Sequence, residues 1–312
     1  MSKLEKKNHY ERVFSVDDEG NITSWGLKSK REEIVIQERK ELTDKQRAYL
    51  NRNDELKTLC CQWGGKGGHV HMYYIRNKLL FNELNLSRSN ISRLIYISTF
   101  IDYNNREENV LVRRIEKDGD KYIRRKDIQE LLGISSRATS SFIKEMKENN
   151  LIFEANKKFY ISSEYFSKGE CKFDKGQYTR LFSKSIRALY ENTPNNKHKQ
   201  LSYVYQLLPY VNVYSNVLCS NPCEHELDNI NKLTLDNICQ LLDTSLENKY
   251  RLEKDLLKFT IEENGKTHYV FAEIIVKTGQ GEKEFFAINP MIAWAGNDVS
   301  LIKEVVGKLV FG

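Results

Sequence analysis

Apolar residues along this chain fall at two spacings, three to four apart in some stretches and two apart in others, and the same order of stretches occurs twice. Val70 to Leu80 reads as an extended run entering a helix. From Ser87, the positions Ile91, Leu94, Ile95, Ile97 and Ile101 predict a helix that ends near Tyr103. Val110 to Ile115 alternates like a strand, Asp118 and Gly119 make a turn, and Arg125 to Leu132 is a short helix closed by Gly133. Ile134 to Ser136 is a tight connection in which a serine caps the next helix, Arg137 to Asn149, with Phe142, Ile143 and Met146 facing inward. Leu151 to Phe153 and Phe159 to Ile161, joined by the polar turn Asn156 to Lys158, form a two-stranded wing.

The second series repeats the first. Gly176 to Tyr190 is followed by a helix over Leu201 to Val211, a loop, a helix over Leu235 to Leu242 and another over Leu246 to Phe259. Strands over Tyr269 to Val276 and Lys283 to Ile288 then flank Thr278 to Gly281 as a longer wing. The register holds in three places: Lys126 to Ser135 on Asp236 to Ser245, Phe142 to Met146 on Leu252 to Leu256, and Tyr160 to Gly169 on Ala287 to Gly296. The expected class is α+β, two tandem winged helices, each burying its own core, over 67–172 and 173–298. An arm over 1–66 precedes them, with a hairpin about Asp17 to Gly20 and a helix over 41–50, and a helix over 299–312 follows.

A winged helix lays its third helix in the major groove of DNA and its wing on the backbone or minor groove. In the first module Ser135, Ser136, Arg137, Ser140, Ser141 and Lys144 then face the groove, and Arg124, Arg125, Lys126, Lys157 and Lys158 meet phosphates. The second module offers Lys249, Tyr250, Arg251 and Lys254 on its helix and Lys277 and Lys283 on its wing, but Glu247, Glu253 and Asp255 are interleaved and repel phosphate. That helix stands between a DNA contact and a protein contact.

Bulk charge changes little here. The net charge is +6, from 49 basic and 43 acidic residues, so an anionic partner must be met by a local patch. Six cysteines without a regular framework, and no apolar run near the roughly 20 residues that span a bilayer, predict a cytoplasmic chain with no membrane partner. His69 and His71 match the two-histidine core of metal-dependent single-strand nickases, with Tyr73 and Tyr74 nearby, but no third ligand is identifiable. Cys219, Cys223 and His225, with Cys239, fit no standard zinc spacing, and Cys60 and Cys61 read as incidental. Gly64 to Gly68 lacks the ending of a phosphate-binding loop and reads as a hinge. No cofactor and no catalytic residue is expected, and an enzyme has little to stand on.

The motifs Ile128 to Ser135, Phe159 to Gly169 and Phe286 to Gly296 resemble winged-helix replication proteins of plasmids and phages from low-GC Gram-positive bacteria. The likeness covers residues 68 to 298 and implies an initiator that grips repeated origin sites in double-stranded DNA through two winged helices. A repressor of a mobile element is the alternative on the same scaffold, and the nickase a more distant one. A second copy of the chain and the host's replication proteins are the further partners this reading allows.

Overall fold

The computed structural model describes residues 10–16, 22–29, 55–103, 108–115, 119–169, 178–263, 265–278 and 281–296. They form an α+β structure of helices and small antiparallel sheets, in two compact units, 1–57 and 58–312. In the first unit β1 (Tyr10–Val16) pairs antiparallel with β2 (Ile22–Ser29), as a hairpin about Asp17 to Gly20 requires. The turn itself and the helices expected over 41–50 and 299–312 lie outside the described residues.

The larger unit takes in the end of a helix, α1 (55–64), and a 3-10 turn at Gly65–Gly67. Its first half continues with β3 (His69–Tyr73), α2 (Tyr74–Asn82), α3 (Arg88–Ser98), β4 (Val112–Ile115), β5 (Gly119–Tyr122), α4 (Arg125–Leu132) and α5 (Ser136–Glu148). It closes with β6 (Ile152–Ala155), β7 (Lys158–Ile161) and the short β8 (Phe166–Ser167). The second half runs β9 (Tyr178–Phe182), α6 (Ser183–Asn192), α7 (His198–Gln206), α8 (Leu235–Leu241) and α9 (Lys249–Leu257). The hairpin β10 (Thr260–Glu263) and β11 (Lys266–Tyr269), the ribbon β12 (Phe271–Thr278) and β13 (Gly281–Ile288), and β14 (Ala293–Trp294) complete it.

The halves share a set of bonds around the hairpins β6–β7 and β12–β13. Asn109 and Asn216 both have left-handed backbones, at φ 54° and 55°. Ile161 N–H donates to Asn109 O, and Ile288 N–H to Asn216 O. The Asn109 amide donates to Phe166 O on β8, and the Asn216 amide to Ala293 O on β14. Ser162 N–H to Leu151 O is matched by Asn289 N–H to Val270 O. The hairpin β10–β11 therefore stands between α9 and the matching strands β12 and β13, where the first half passes from α5 straight to β6. Tyr269, expected to open the longer wing, ends the hairpin β10–β11 instead.

One four-stranded sheet, in the order β14-β9-β3-β8, joins the halves. β3 and β9 pair antiparallel with His71 opposite Arg180, and α3 packs on α7. Most of the buried apolar side chains form one cluster running from Val70 through Phe142 and Leu201 to Ile292, with a small separate one of Val217, Phe285 and Ala287, where a separate core for each half was expected. The reason is geometric: without its partner each half holds a two-stranded fragment of this sheet, and such ribbons are marginal in water. Two smaller departures have local causes. The helix expected over Leu201 to Val211 yields after Gln206 to a 3-10 turn at Leu208–Tyr210, where Pro209 lacks an N–H. The helix expected from Leu246 starts as a 3-10 turn and becomes α-helical only at Lys249. No helix among the described residues is long and apolar enough to cross a membrane.

Asn216 is fully buried and donates to both Ile288 O, at 3.0 Å, and Ala293 O, at 2.8 Å. Asn216→Ala strands both carbonyls and puts in the left-handed backbone a residue that tolerates it less well than asparagine, so a loss of about 2–4 kcal/mol in urea unfolding is expected. Asn216→Gly, which tolerates the backbone, loses less. Equal losses for the two variants would show that the backbone conformation contributes nothing.

Candidate nucleic-acid interface

The connection between α4 and α5 is set by two residues. Gly133, at φ 60° and ψ 34°, ends α4 in the left-handed conformation, and the Ser135 hydroxyl accepts from Ala138 N–H to cap α5. Thr139, Phe142, Ile143 and Met146 go into the core, as the spacing predicts, with Thr139 added to the inward set. The opposite face is thereby turned to solvent. Two contacts hold α5 in place: the Glu145 carboxylate accepts from Ser87 N–H at 2.8 Å and from the Asn90 amide at 2.6 Å, and Lys147 bonds Glu154 of β6 at 2.5 Å.

On the outer face Ser136, Arg137 and Ser141 are exposed and make no side-chain hydrogen bond among the described residues. Lys144 is exposed and only loosely paired with Glu148, at 3.7 Å. Ser140 differs: its hydroxyl donates to Ser136 O and accepts from Arg125, so it orients Arg125 more than it offers itself. Ser135 is likewise committed to its cap. Arg124, Arg125 and Lys126 are exposed at the start of α4, whose positive end adds to their field. Asn156 and Lys157, both with positive φ, form a two-residue turn that puts the exposed Lys157 at the tip of the β6–β7 wing. Lys158 is half-buried, with its ammonium 3.9 Å from the centre of the Tyr122 ring.

The second half presents a different surface. Lys249 is tied to Asp236 at 3.1 Å and lies over Tyr250, while Tyr250, Arg251 and Lys254 are exposed. Lys277 and Lys283 are in the ribbon strands, opposite Glu282 and Val276 respectively. Glu253 of α9 gathers with Glu273 of β12 and Glu284 of β13, their carboxylates within 4.8 Å of one another. Burial and mutual repulsion raise the pKa of Glu273 and of Glu284. The trio comes from one helix and the two strands of the ribbon that follows it, and of its members only Glu253 stands out in the linear order of charges.

The other candidate chemistry separates in space. His69 and His71 lie with ring centres 4.9 Å apart, His71 is buried with an unpaired Nδ1, and no third metal ligand joins them among the described residues. Cys219 and Cys239 are buried, Cys223 and His225 exposed, and they form no described metal-holding group. The glycine-rich turn is packed and not a bare hinge: a β-carbon on Gly67 would stand 2.8 Å from Cβ of Ser183. No family model matches the sequence, and no curated protein matches it.

Burial, then His71 and Arg180, push the pKa of His69 down to about 3, and burial with Arg180 pushes that of His71 to about 4. The unfolded chain titrates near 6.5, so between these values it binds more protons than the folded one. Stability is therefore full above about pH 6.5 and falls on acidification, by about 1.4 kcal/mol per pH unit for each histidine. Urea unfolding from pH 7.5 to pH 5 should show this slope, and a His69→Gln, His71→Gln double variant should flatten it. An unchanged slope would place the acid sensitivity elsewhere.

Proposed function

We propose that each half is a winged helix and that the chain binds double-stranded DNA sequence-specifically, as a replication initiator of a phage or plasmid, with the first half as its main reader. The observation that carries this is the outer face of α5. A helix fixed by its inward Phe142, Ile143 and Met146 and by Glu145 holds Ser136, Arg137, Ser141 and Lys144 in solvent, with an arginine side chain unengaged among the described residues. Short hydroxyls and a forked guanidinium on a rigid rod suit base edges in the major groove. Arg124 to Lys126 at one end and Lys157 at the wing tip suit phosphates on either side.

The second half contributes less by this reading. Its acidic trio beside α9 and the Lys249–Asp236 pair reduce the attraction for phosphate, leaving Tyr250, Arg251 and Lys254 as its contacts. Two linked readers still gain from one another, because the second binds at the effective concentration the first creates.

Purified chain incubated with genomic fragments should retain tandem repeats near an origin; recovery of a promoter palindrome would favour a repressor, and no retention at low salt would end the DNA reading. On the recovered site, Arg137→Ala should cost about 1–3 kcal/mol and relax specificity at one position, and Lys157→Ala should weaken all sequences alike and reduce the salt slope by about one. Equal losses for Arg137→Ala on specific and scrambled duplex would remove the base-reading role.

A further inference from the structure

A cavity of about 430 Å3 opens where the first half meets α6 of the second, a size within the range of small-ligand sites. None of the residues assigned to DNA lines it. Five cationic side chains from separate parts of the chain do: Lys66, Arg113, Arg114, Lys168 and Arg187. Two acids share the lining. Glu191 accepts a hydrogen bond from the Tyr96 hydroxyl at 2.9 Å, and Asp102 keeps one carboxylate oxygen without a hydrogen-bond partner.

The two innermost cations make no ion pair with a described residue, although Asp102 near Lys168 and Glu191 near Arg187 favour their charged forms. Lys168 is 8% exposed, and its ammonium donates to Ile101 O at 2.8 Å; no carboxylate lies within ion-pair distance of it among the described residues. Burial, with Arg187 and Arg114 close by, brings its pKa down to about 8. Arg187 donates Nε to the Thr99 hydroxyl and Nη2 to Thr99 O, and its guanidinium lies 3.8 Å from the Phe100 ring centre. Arg113 and Arg114 carry partners on the outer side, Glu130 at 2.9 Å and Asp120 at 3.7 Å, both well exposed and so weakly neutralising.

The glycine-rich turn closes the remaining wall. Arg114 donates to Lys66 O at 3.0 Å, and the absence of a β-carbon at Gly67 lets the turn lie against Ser183 and within reach of Arg187. An ammonium buried beside guanidiniums is costly unless a counter-charge arrives. A tetrahedral oxyanion supplies several acceptor oxygens at once, which suits a point-like ammonium next to a planar fork.

We propose that this cavity binds a phosphate-bearing anion, held chiefly by Lys168 and Arg187 and admitted past Lys66. The phosphate comes either from a free small molecule or from a nucleic-acid backbone, and the two sources differ in the test.

Inorganic pyrophosphate titrated into the full chain at low ionic strength should bind and raise the melting temperature beyond what sodium chloride of equal ionic strength does. Lys168→Met should bind it about tenfold more weakly, the loss of one charged hydrogen bond, while melting without ligand at or above the wild-type temperature. Lys66→Ser, at an exposed position, gives a second comparison that leaves the core untouched, and it too should weaken binding. If the natural source is a free ligand, Lys168→Met leaves duplex affinity unchanged; if it is a nucleic-acid phosphate, pyrophosphate competes with duplex and Lys168→Met weakens both. No pyrophosphate binding, or equal affinity in wild type and both variants, would overturn the proposal whether or not the chain binds DNA.

Discussion

The pairing of β3 with β9 is the constraint on which the larger unit depends. These strands open the two halves, meet antiparallel with His71 opposite Arg180, and carry β8 and β14 on their outer edges. Every residue of β9 is buried, as are four of the five in β3, so the sheet lies inside the molecule and cannot be traded for water. Arg180 enters this interior because its guanidinium donates to Gly296 O at 2.7 Å, which ties the end of the second half back to the centre. Burial above all, with that cation adding to it, lowers the pKa of the facing histidines and keeps them neutral.

From this centre the polar bonds between halves follow. Ser92 donates to His198 O, Asn77 to Tyr205 O, and Tyr190 to Leu132 O. Each is a buried hydrogen bond that crosses between the halves, so separating them costs hydrogen bonds as well as apolar area. The bond to Leu132 matters most for the outer surface, since it fixes the end of α4, and Asn195 does the same for Gly133 O at 3.1 Å. The pose of α5 is thus set partly by the second half.

Local order was legible in the sequence wherever one residue type has one conformational use. Gly133 marked the end of α4, Ser135 the cap of α5, and the apolar spacing of Phe142, Ile143 and Met146 its buried side. The repeat of Tyr160 to Gly169 at Ala287 to Gly296 pointed to equivalent wing ends, and the matched bonds of Asn109 and Asn216 show that equivalence in three dimensions. What stayed hidden were relations between distant segments. The β10–β11 hairpin alternates like any other strand pair, so periodicity could not say which hairpin matches β6–β7. The pairing of β3 with β9 joins residues about a hundred positions apart, and nothing in a local pattern encodes a partner at that distance. The carboxylates of Glu253, Glu273 and Glu284, and the cations of the cavity, were visible only as scattered charges.

The halves match where they share the sheet and differ where they face solvent. Positions that hold the shared sheet and wing turns keep the same bonding, because a change there disrupts both halves through the common core. The outer positions of α5 and α9 face solvent and carry no such constraint, so one helix presents hydroxyls and a single arginine while the other presents Glu253 next to two ribbon carboxylates. Partial burial and mutual repulsion raise the carboxyl pKa of Glu273 and of Glu284, so the grouping disfavours full ionisation of all three acids. Lys168 and Arg187 are the converse case, since burial lowers the pKa of each. In a molecule whose other buried polar groups mostly close on backbone partners, these two charged clusters are where packing alone does not account for the residues present.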